Sequence, residues 1–260
     1  MKIIGKTIVI TGASSGIGKE LALQLEHNNH LILLGRNKEK LEKVKQSCSS
    51  ASSCSIMICD LSNLESINSA IHKIYNQLDH IDYVFNNAGI SASVPFMKQE
   101  DTDIQNMMDT NVTGTIVFTK KCLPLILKQK GSIINVGSMF GDIAHPLYAV
   151  YSASKFAIRG FSDALRREYA HQGLQVFYVA PRATQTPALE NTSNYKSYFK
   201  MNVDTAKSVA AYIIQSVINK NIQIYPKSIE RLFVWIQKLF PSLIDKNLGG
   251  IAKAIYINEQ

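Results

Sequence analysis

The stretch Thr7-Ile8-Val9-Ile10-Thr11-Gly12-Ala13-Ser14-Ser15-Gly16-Ile17-Gly18 decides the architecture. A short apolar run, Thr7 to Ile10, reads as a buried strand. A glycine-rich turn follows at once, and an amphipathic helix begins near Ile17 and continues through Leu21 and Leu25. Strand, glycine turn and helix in that order are the context a dinucleotide site requires. Glycines let the backbone turn tightly and approach a pyrophosphate, and the free N–H groups at the helix start bind the anion. The competing reading is an ordinary tight turn. The spacing is G-x-x-x-G-x-G rather than G-x-G-x-x-G.

Outward from this turn, strand and helix patterns alternate. Apolar strand candidates lie at residues 6–11, 30–35, 55–59, 81–85, 132–136, 174–179 and 222–225. Helical periodicities separate them at 17–26, 38–46, 64–77, 102–128, 152–170 and 205–219. Continuous apolar strands between amphipathic helices imply a parallel sheet covered on both faces. The expected fold is therefore α/β, a Rossmann-like doubly wound parallel sheet in a single domain with a short C-terminal extension. Residues 1–226 would form a dinucleotide-binding catalytic domain, and 227–260 an amphipathic extension packed on the same domain or at a subunit interface. In such sheets ligand binds beyond the carboxyl ends of the strands. Gly12, Arg36, Asp60, Asn87, Ser138 and Pro181 all fall just past such ends.

A second constellation is Tyr151-Ser152-Ala153-Ser154-Lys155, read with Ser138 and Asn111 upstream. A phenol, an ammonium, a hydroxyl and an amide suffice to move a proton on and off a carbonyl oxygen. Tyr151 and Lys155 stand four apart at the start of a helix pattern, so both project from one face. The pair alone is weak, because 11 tyrosines in a Lys-rich chain produce such spacings by chance. Its weight comes from the independent nucleotide signal at Gly12.

Together, the glycine turn, Asp60, Asn86-Asn87-Ala88-Gly89, Asn111, Ser138 and Tyr151/Lys155, in that order, resemble the classical short-chain dehydrogenase/reductase family. The resemblance runs from about residue 6 to about residue 225. It implies reversible hydride transfer between a nicotinamide cofactor and a carbonyl/secondary alcohol pair, with Asn111, Ser138, Tyr151 and Lys155 as the catalytic set. Tyr151 would exchange the proton, Ser138 would hold the substrate oxygen, and Asn111 would hold a water linking the lysine to solvent. Lys155 would bind the nicotinamide ribose and draw the phenol pKa down from about 10. The cofactor would lie against Gly12, Ser14, Ser15, Gly16, Ile17, Gly18, Asp60, Leu61, Asn87, Ala88 and Gly89, and against Pro181, Thr184 and Thr186 at the nicotinamide.

Arg36, at the end of the second strand, bears on which nicotinamide cofactor is used. A carboxylate there accepts from the ribose 2′-hydroxyl of NAD, whereas a guanidinium pairs with a 2′-phosphate. No Asp or Glu occurs between His30 and Lys38, and Lys38 adds positive charge. NADP(H) is the expected cofactor; a solvated Arg at a helix start is the competing reading. Two positions depart from the family pattern. Ser15 stands where many NADP-preferring relatives carry a basic residue. Arg182 stands where glycine usually follows the proline, at torsions an Arg tolerates poorly, which leaves it open as a substrate or cofactor contact.

Composition sets the remaining bounds. At 260 residues and 46% hydrophobic content the chain suits one α/β domain with a sizeable core. Its four cysteines form no CxxC pair, so neither a metal site nor a disulfide framework is expected, in keeping with a reducing cytoplasm. The net charge of +8 is scattered, with Lys38, Lys40, Lys43 and Lys45 interleaved with Glu39 and Glu42, so nucleic acid is not an expected partner. No run is apolar for the length of a membrane span. The resemblance implies a homodimer or homotetramer burying faces of the helices at 102–128 and 152–170, where Phe118, Cys122, Leu125, Phe156 and Leu165 lie.

It also places a substrate-covering loop at residues 184–203, whose Tyr195, Tyr198 and Phe199, with Phe233 and Trp235 beyond, hint at an apolar or lipid-like carbonyl substrate. In the extension, apolar residues recur at helical spacing from Ile229 to Phe240. A cover over the substrate cleft or a subunit seam is the favoured reading, with peripheral membrane contact through Phe233, Trp235 and Lys238 second and partner docking third. A non-catalytic NADP(H)-sensing protein on the same fold is the alternative function; such proteins often lose the Tyr or the Lys, and here both stand.

Overall fold

The computed structural model describes residues 2–190, 202–226 and 230–258. Tyr195, Tyr198, Phe199 and Ile229 lie outside them. The central sheet has seven parallel strands in the order β3-β2-β1-β4-β5-β6-β9. These are β1 (Thr7–Thr11), β2 (His30–Gly35), β3 (Ser53–Ile58), β4 (Tyr83–Asn86), β5 (Ser132–Val136), β6 (Gln175–Val179) and β9 (Gln223–Ile224). A separate parallel ladder joins β7 (Thr184–Gln185) to β8 (Asp204–Thr205). Because the chain moves outward from β1 to β3 and then back across to β4, the strand order reverses between β1 and β4. That reversal opens a crevice at the carboxyl edge.

The strands alternate as a sheet buried on both faces requires. Ile8, Ile10, Leu31 and Leu33 pack with α1 (Gly16–Leu25), α2 (Lys38–Ser47) and α8 (Ala206–Ile218). Val9, Ile32 and Leu34 face the opposite way, toward α3 (Leu64–Gln77) and α5 (Thr115–Leu127). Phe118, Cys122, Leu125 and Leu165 belong to this second layer of core and are buried within the chain itself. They are therefore not the subunit-facing residues the sequence suggested; Phe156, on α6 (Ala149–Glu168), does keep 43% of its surface.

The helix expected over residues 102–128 is instead three segments: α4 (Asp101–Met108), a π-helical turn (Asp109–Gly114) and α5. Beyond the sheet, the extension forms α9 (Glu230–Leu239) and α10 (Pro241–Asn258). Val234 of α9 is buried with Met139, Ile143, Tyr178 and Tyr225, and Ile244 and Leu248 of α10 pack against the same cluster. Among the described residues, no helix is long and apolar enough to cross a membrane.

Candidate active site

The carboxyl edge of the sheet bounds one cleft of about 1040 Å³. Its floor at the switch point is the turn between β1 and α1. Gly12 (φ +66°) and Gly16 (φ +53°) are both left-handed there, a conformation that costs other residues a clash at Cβ. A Cβ on Gly12 would also sit 2.8 Å from the Cα of Ala88, so the strand ends touch backbone to backbone. Thr11 ties them together. Its hydroxyl accepts from the N–H groups of Asn87 (3.0 Å) and Ala88 (3.1 Å), and the Asn87 amide donates to the carbonyls of Thr11 and Gly12. Ser15 is the N-cap of α1 yet makes no side-chain capping bond. The first-turn N–H groups are thus available to an anion.

Ser14, Ser15, Ile17, Arg36, Asp60, Leu61, Asn87, Ala88, Gly89, Pro181, Thr184 and Thr186 line this cleft with Gly12. Gly16 and Gly18 do not. Gly18 lacks a Cβ because one would meet the Gly12 carbonyl and the Asn87 amide, and Gly16 lies under the Thr186 methyl. Arg36 is exposed at the cleft wall, and the second cation there is Lys40 rather than Lys38. Asn37 caps α2 by accepting from the Lys40 N–H at 2.8 Å, and both residues line the cleft. Asp60 accepts from both the N–H and the hydroxyl of Ser62, while Asn63 caps α3. A glycine cradle, uncapped helical N–H groups and two cations at the end of β2 fit a phosphorylated dinucleotide.

At the other end, β5 delivers Ser138 and the first turns of α6 deliver Tyr151 and Lys155. Ser138 caps a short 3₁₀ turn, accepting from the Phe140 N–H at 3.1 Å, and its side chain stands near enough to the Tyr151 phenol to favour the ionised form. Tyr178 supports this turn from below: its hydroxyl donates to the Ser138 carbonyl at 3.1 Å, and Gly137 and Gly141 leave room for its ring. Asp142, wholly buried beyond the turn, is ion-paired to Arg159 and accepts from the Tyr225 hydroxyl at 2.9 Å. Lys155 is buried, and its ammonium donates to the Val136 carbonyl at 3.1 Å. It lies 5.6 Å from the centre of the Tyr151 ring. Gly89 lies against Lys155 and Asn111: a Cβ there would be 3.2 Å from Asn111 Oδ1 and 3.4 Å from Lys155 Nζ.

Burial dominates the electrostatics. It pushes the Tyr151 phenol up to about 12, against a smaller downward pull from Ser138. It pushes the Lys155 ammonium down to about 8. The phenol was expected to lie below its ordinary value beside Lys155; it lies above it, because removal from water disfavours its charged form.

Asn111 occupies the π-helical turn, a feature frequent at functional sites. Its Oδ1 accepts from the Ile90 N–H (2.8 Å), and its amide donates to the Ile90 carbonyl (2.9 Å) and the Ser154 hydroxyl (3.0 Å). It thereby fastens the segment after β4 to α6, behind the cleft wall. Arg182 forms a bidentate pair with Asp204, at 2.7 Å on each arm, which holds the loop after β6 against β8. Its φ is not left-handed, so the loop bends without the torsions expected of glycine.

The sequence reading anticipated an apolar cover that includes Phe233 and Ile236 but not the rest of the apolar wall. Phe140, Ile143, His145 and Tyr148 line the cleft beside Tyr151, and α9 and α10 add Phe233, Ile236, Leu243, Ile244, Leu248 and Ile251. His145 stacks on Phe140 at 4.3 Å, and burial lowers its pKa to about 4, so it presents a neutral ring at pH 7. A lone His-Pro after a strand carries no sequence signal for this position.

The family model for short chain dehydrogenases matches residues 6–197. The chain is 31% identical over 263 residues to dehydrogenase/reductase SDR family member 7B of Xenopus laevis, covering 95% of this chain and 81% of that one. It is 35% identical over 237 residues to an uncharacterized oxidoreductase of Listeria monocytogenes, covering 85% and 95%. In fold it is similar to a short-chain dehydrogenase from Sphingobium yanoikuyae in complex with NADPH (TM-score 0.81, 22% identity, 92% and 95% covered). A short chain dehydrogenase from Burkholderia cenocepacia in complex with NADP superposes with TM-score 0.81 at 22% identity, 95% and 99% covered. With its parallel seven-stranded sheet and this breadth of match, the chain belongs to the classical short-chain dehydrogenase/reductase family of oxidoreductases.

Proposed function

We propose that this oxidoreductase uses NADP(H) to interconvert an apolar carbonyl compound and its secondary alcohol. The observation that carries the reading is a single cleft with cations, Arg36 and Lys40, at one end and Ser138, Tyr151 and Lys155 at the other. Arg36 would pair with a 2′-phosphate, with Lys40 beside it, and the open N–H groups at the start of α1 would take the pyrophosphate. When bound, NADP(H) supplies or accepts the hydride. In the reductive direction Ser138 holds the carbonyl oxygen by hydrogen bond and Tyr151 protonates it. A phenol near 12 keeps its proton at neutral pH and so serves as an acid, whereas alcohol oxidation needs tyrosinate and gains with rising pH. Lys155, largely an ammonium below about 8, would hold the ribose and stabilise negative charge developing on the phenol oxygen.

The wall of Phe140, neutral His145, Tyr148 and the inner faces of α9 and α10 favours a large apolar substrate, with the extension as its cover. A cytoplasmic site of action suits the four free cysteines. Assembly into a dimer or tetramer would use what α5 and α6 leave exposed, Phe156 included.

The test is initial-rate measurement with NADPH and NADH against ketones of increasing apolar size. NADPH should be preferred and kcat/KM should rise with substrate bulk. Equal use of NADH, or failure to reduce any carbonyl while NADPH binds, would refute the reading; the second outcome would favour the non-catalytic sensor.

A further inference from the structure

We propose that the outer faces of α9 and α10 form a docking surface for a bilayer containing anionic lipid. The helix pair is apolar on two sides. One side is used by the protein: Val234 is buried, and Ile236, Ile244 and Leu248 line the cleft. The other side is not. Leu232, Trp235 and Leu239 recur at i, i+3 and i+7, so they share one stripe of α9, and each is more than half exposed. Phe240 and Leu243 continue the exposed apolar surface into α10. A soluble chain gains nothing by concentrating so many large apolar groups at one place.

Charge identifies the occupant. Arg231 and Lys238 border the α9 stripe, and Lys246 and Lys253 lie seven apart on the exposed side of α10. In sequence the two helices carry these four cations against two carboxylates, Glu230 and Asp245. Lys238 Nζ sits 5.7 Å over the Trp235 ring, an amphipathic pair suited to the headgroup level. A second copy seated here across a twofold axis would bring like charges together. An anionic bilayer neutralises them and accepts the apolar stripe. Leu243 belongs to both surfaces, exposed on one side and lining the cleft on the other, so the apolar wall of the cleft continues into the proposed docking face.

Trp235 is the sole tryptophan, so its emission reports on this face alone. The full-length protein would be titrated with vesicles of phosphatidylcholine, with and without phosphatidylglycerol, and sedimented in parallel. The expected result is a blue shift and co-sedimentation with the anionic vesicles, both weakened by salt. The double variant Leu232→Glu/Leu239→Glu should bind at least about tenfold more weakly while its NADPH affinity is unchanged. Three results would overturn the proposal: no response to anionic vesicles at low salt; emission already blue in the free protein and red-shifting on dilution, which would place a second copy on the face; or vesicle binding undiminished in the double variant. Vesicle binding is read without turnover, so it stands or fails apart from the proposed reaction.

Discussion

Lys155 should cost the ligand-free protein stability, and replacing it should show how much. Burial lowers its pKa from 10.5 to about 8, which corresponds to about 3 kcal/mol paid by the charged form on folding. Lys155→Met removes that cost and keeps an unbranched chain of similar reach. It also forfeits the charged hydrogen bond to the buried Val136 carbonyl, worth about 1.5–3 kcal/mol. The variant should therefore be at least as stable as wild type at pH 7, by up to about 1.5 kcal/mol or about 4 °C in Tm, while turnover is lost. The pH dependence supplies the sharper readout. The folded pKa lies below the unfolded one, so between about 8 and 10.5 the unfolded state binds more protons. Wild-type stability gains from this group as pH rises through that window, and below it the cost is felt in full. The variant lacks this gain, so its advantage should shrink steadily from pH 8 upward. Cys59, raised to about 11 by burial, has the opposite sign above pH 9 but is common to both proteins and cancels in the difference. Chemical denaturation of both proteins from pH 7 to pH 10 without cofactor is the assay. A Met variant less stable than wild type at pH 7, or an advantage independent of pH, would refute the reasoning.

Arg36→Asp should weaken NADPH binding by at least about tenfold, roughly 1.4 kcal/mol, with little effect on NADH; isothermal titration with both cofactors checks it. Gly12→Ala should abolish dinucleotide binding, because a Cβ at φ +66° would press on the Ala88 backbone at 2.8 Å; loss of cofactor fluorescence enhancement is the readout. Arg159→Ala should destabilise the fold by about 3–5 kcal/mol by leaving buried Asp142 without its ion-pair partner, measured as a fall in denaturation midpoint.

The sheet was legible because its strands are short apolar runs bounded by turn residues, and the helices between them keep a clear period. Gly12, Ser138, Tyr151 and Lys155 were legible because chemistry restricts which residues can stand at those spacings. Three features were hidden for physical reasons. The π-helical turn at Asn111 has the same apolar spacing as a continuous helix, so period alone does not reveal it. The helix α10 begins at Pro241, which a first helical position tolerates but a helix interior does not, and contains Gly249-Gly250, a costly pair within a helix. Lys40 rather than Lys38 lines the cleft because the Asn37 cap sets the orientation of α2, a matter of three-dimensional turn geometry. A lowered Tyr151 pKa was inferred from the proximity of Lys155, whereas burial, which no local sequence signal reports, sets the direction of the shift.

In the proposed reaction Tyr151 alone transfers the proton, while Ser138 and Lys155 orient the substrate oxygen and stabilise charge. Tyr151→Phe deletes one hydroxyl and leaves the ring against Phe140 and Tyr148. NADPH affinity and NADPH-dependent ketone reduction should be measured on this variant beside wild type. Affinity should remain within about twofold, and kcat/KM should fall by at least about 100-fold. Undiminished reduction by the Phe variant would contradict the account.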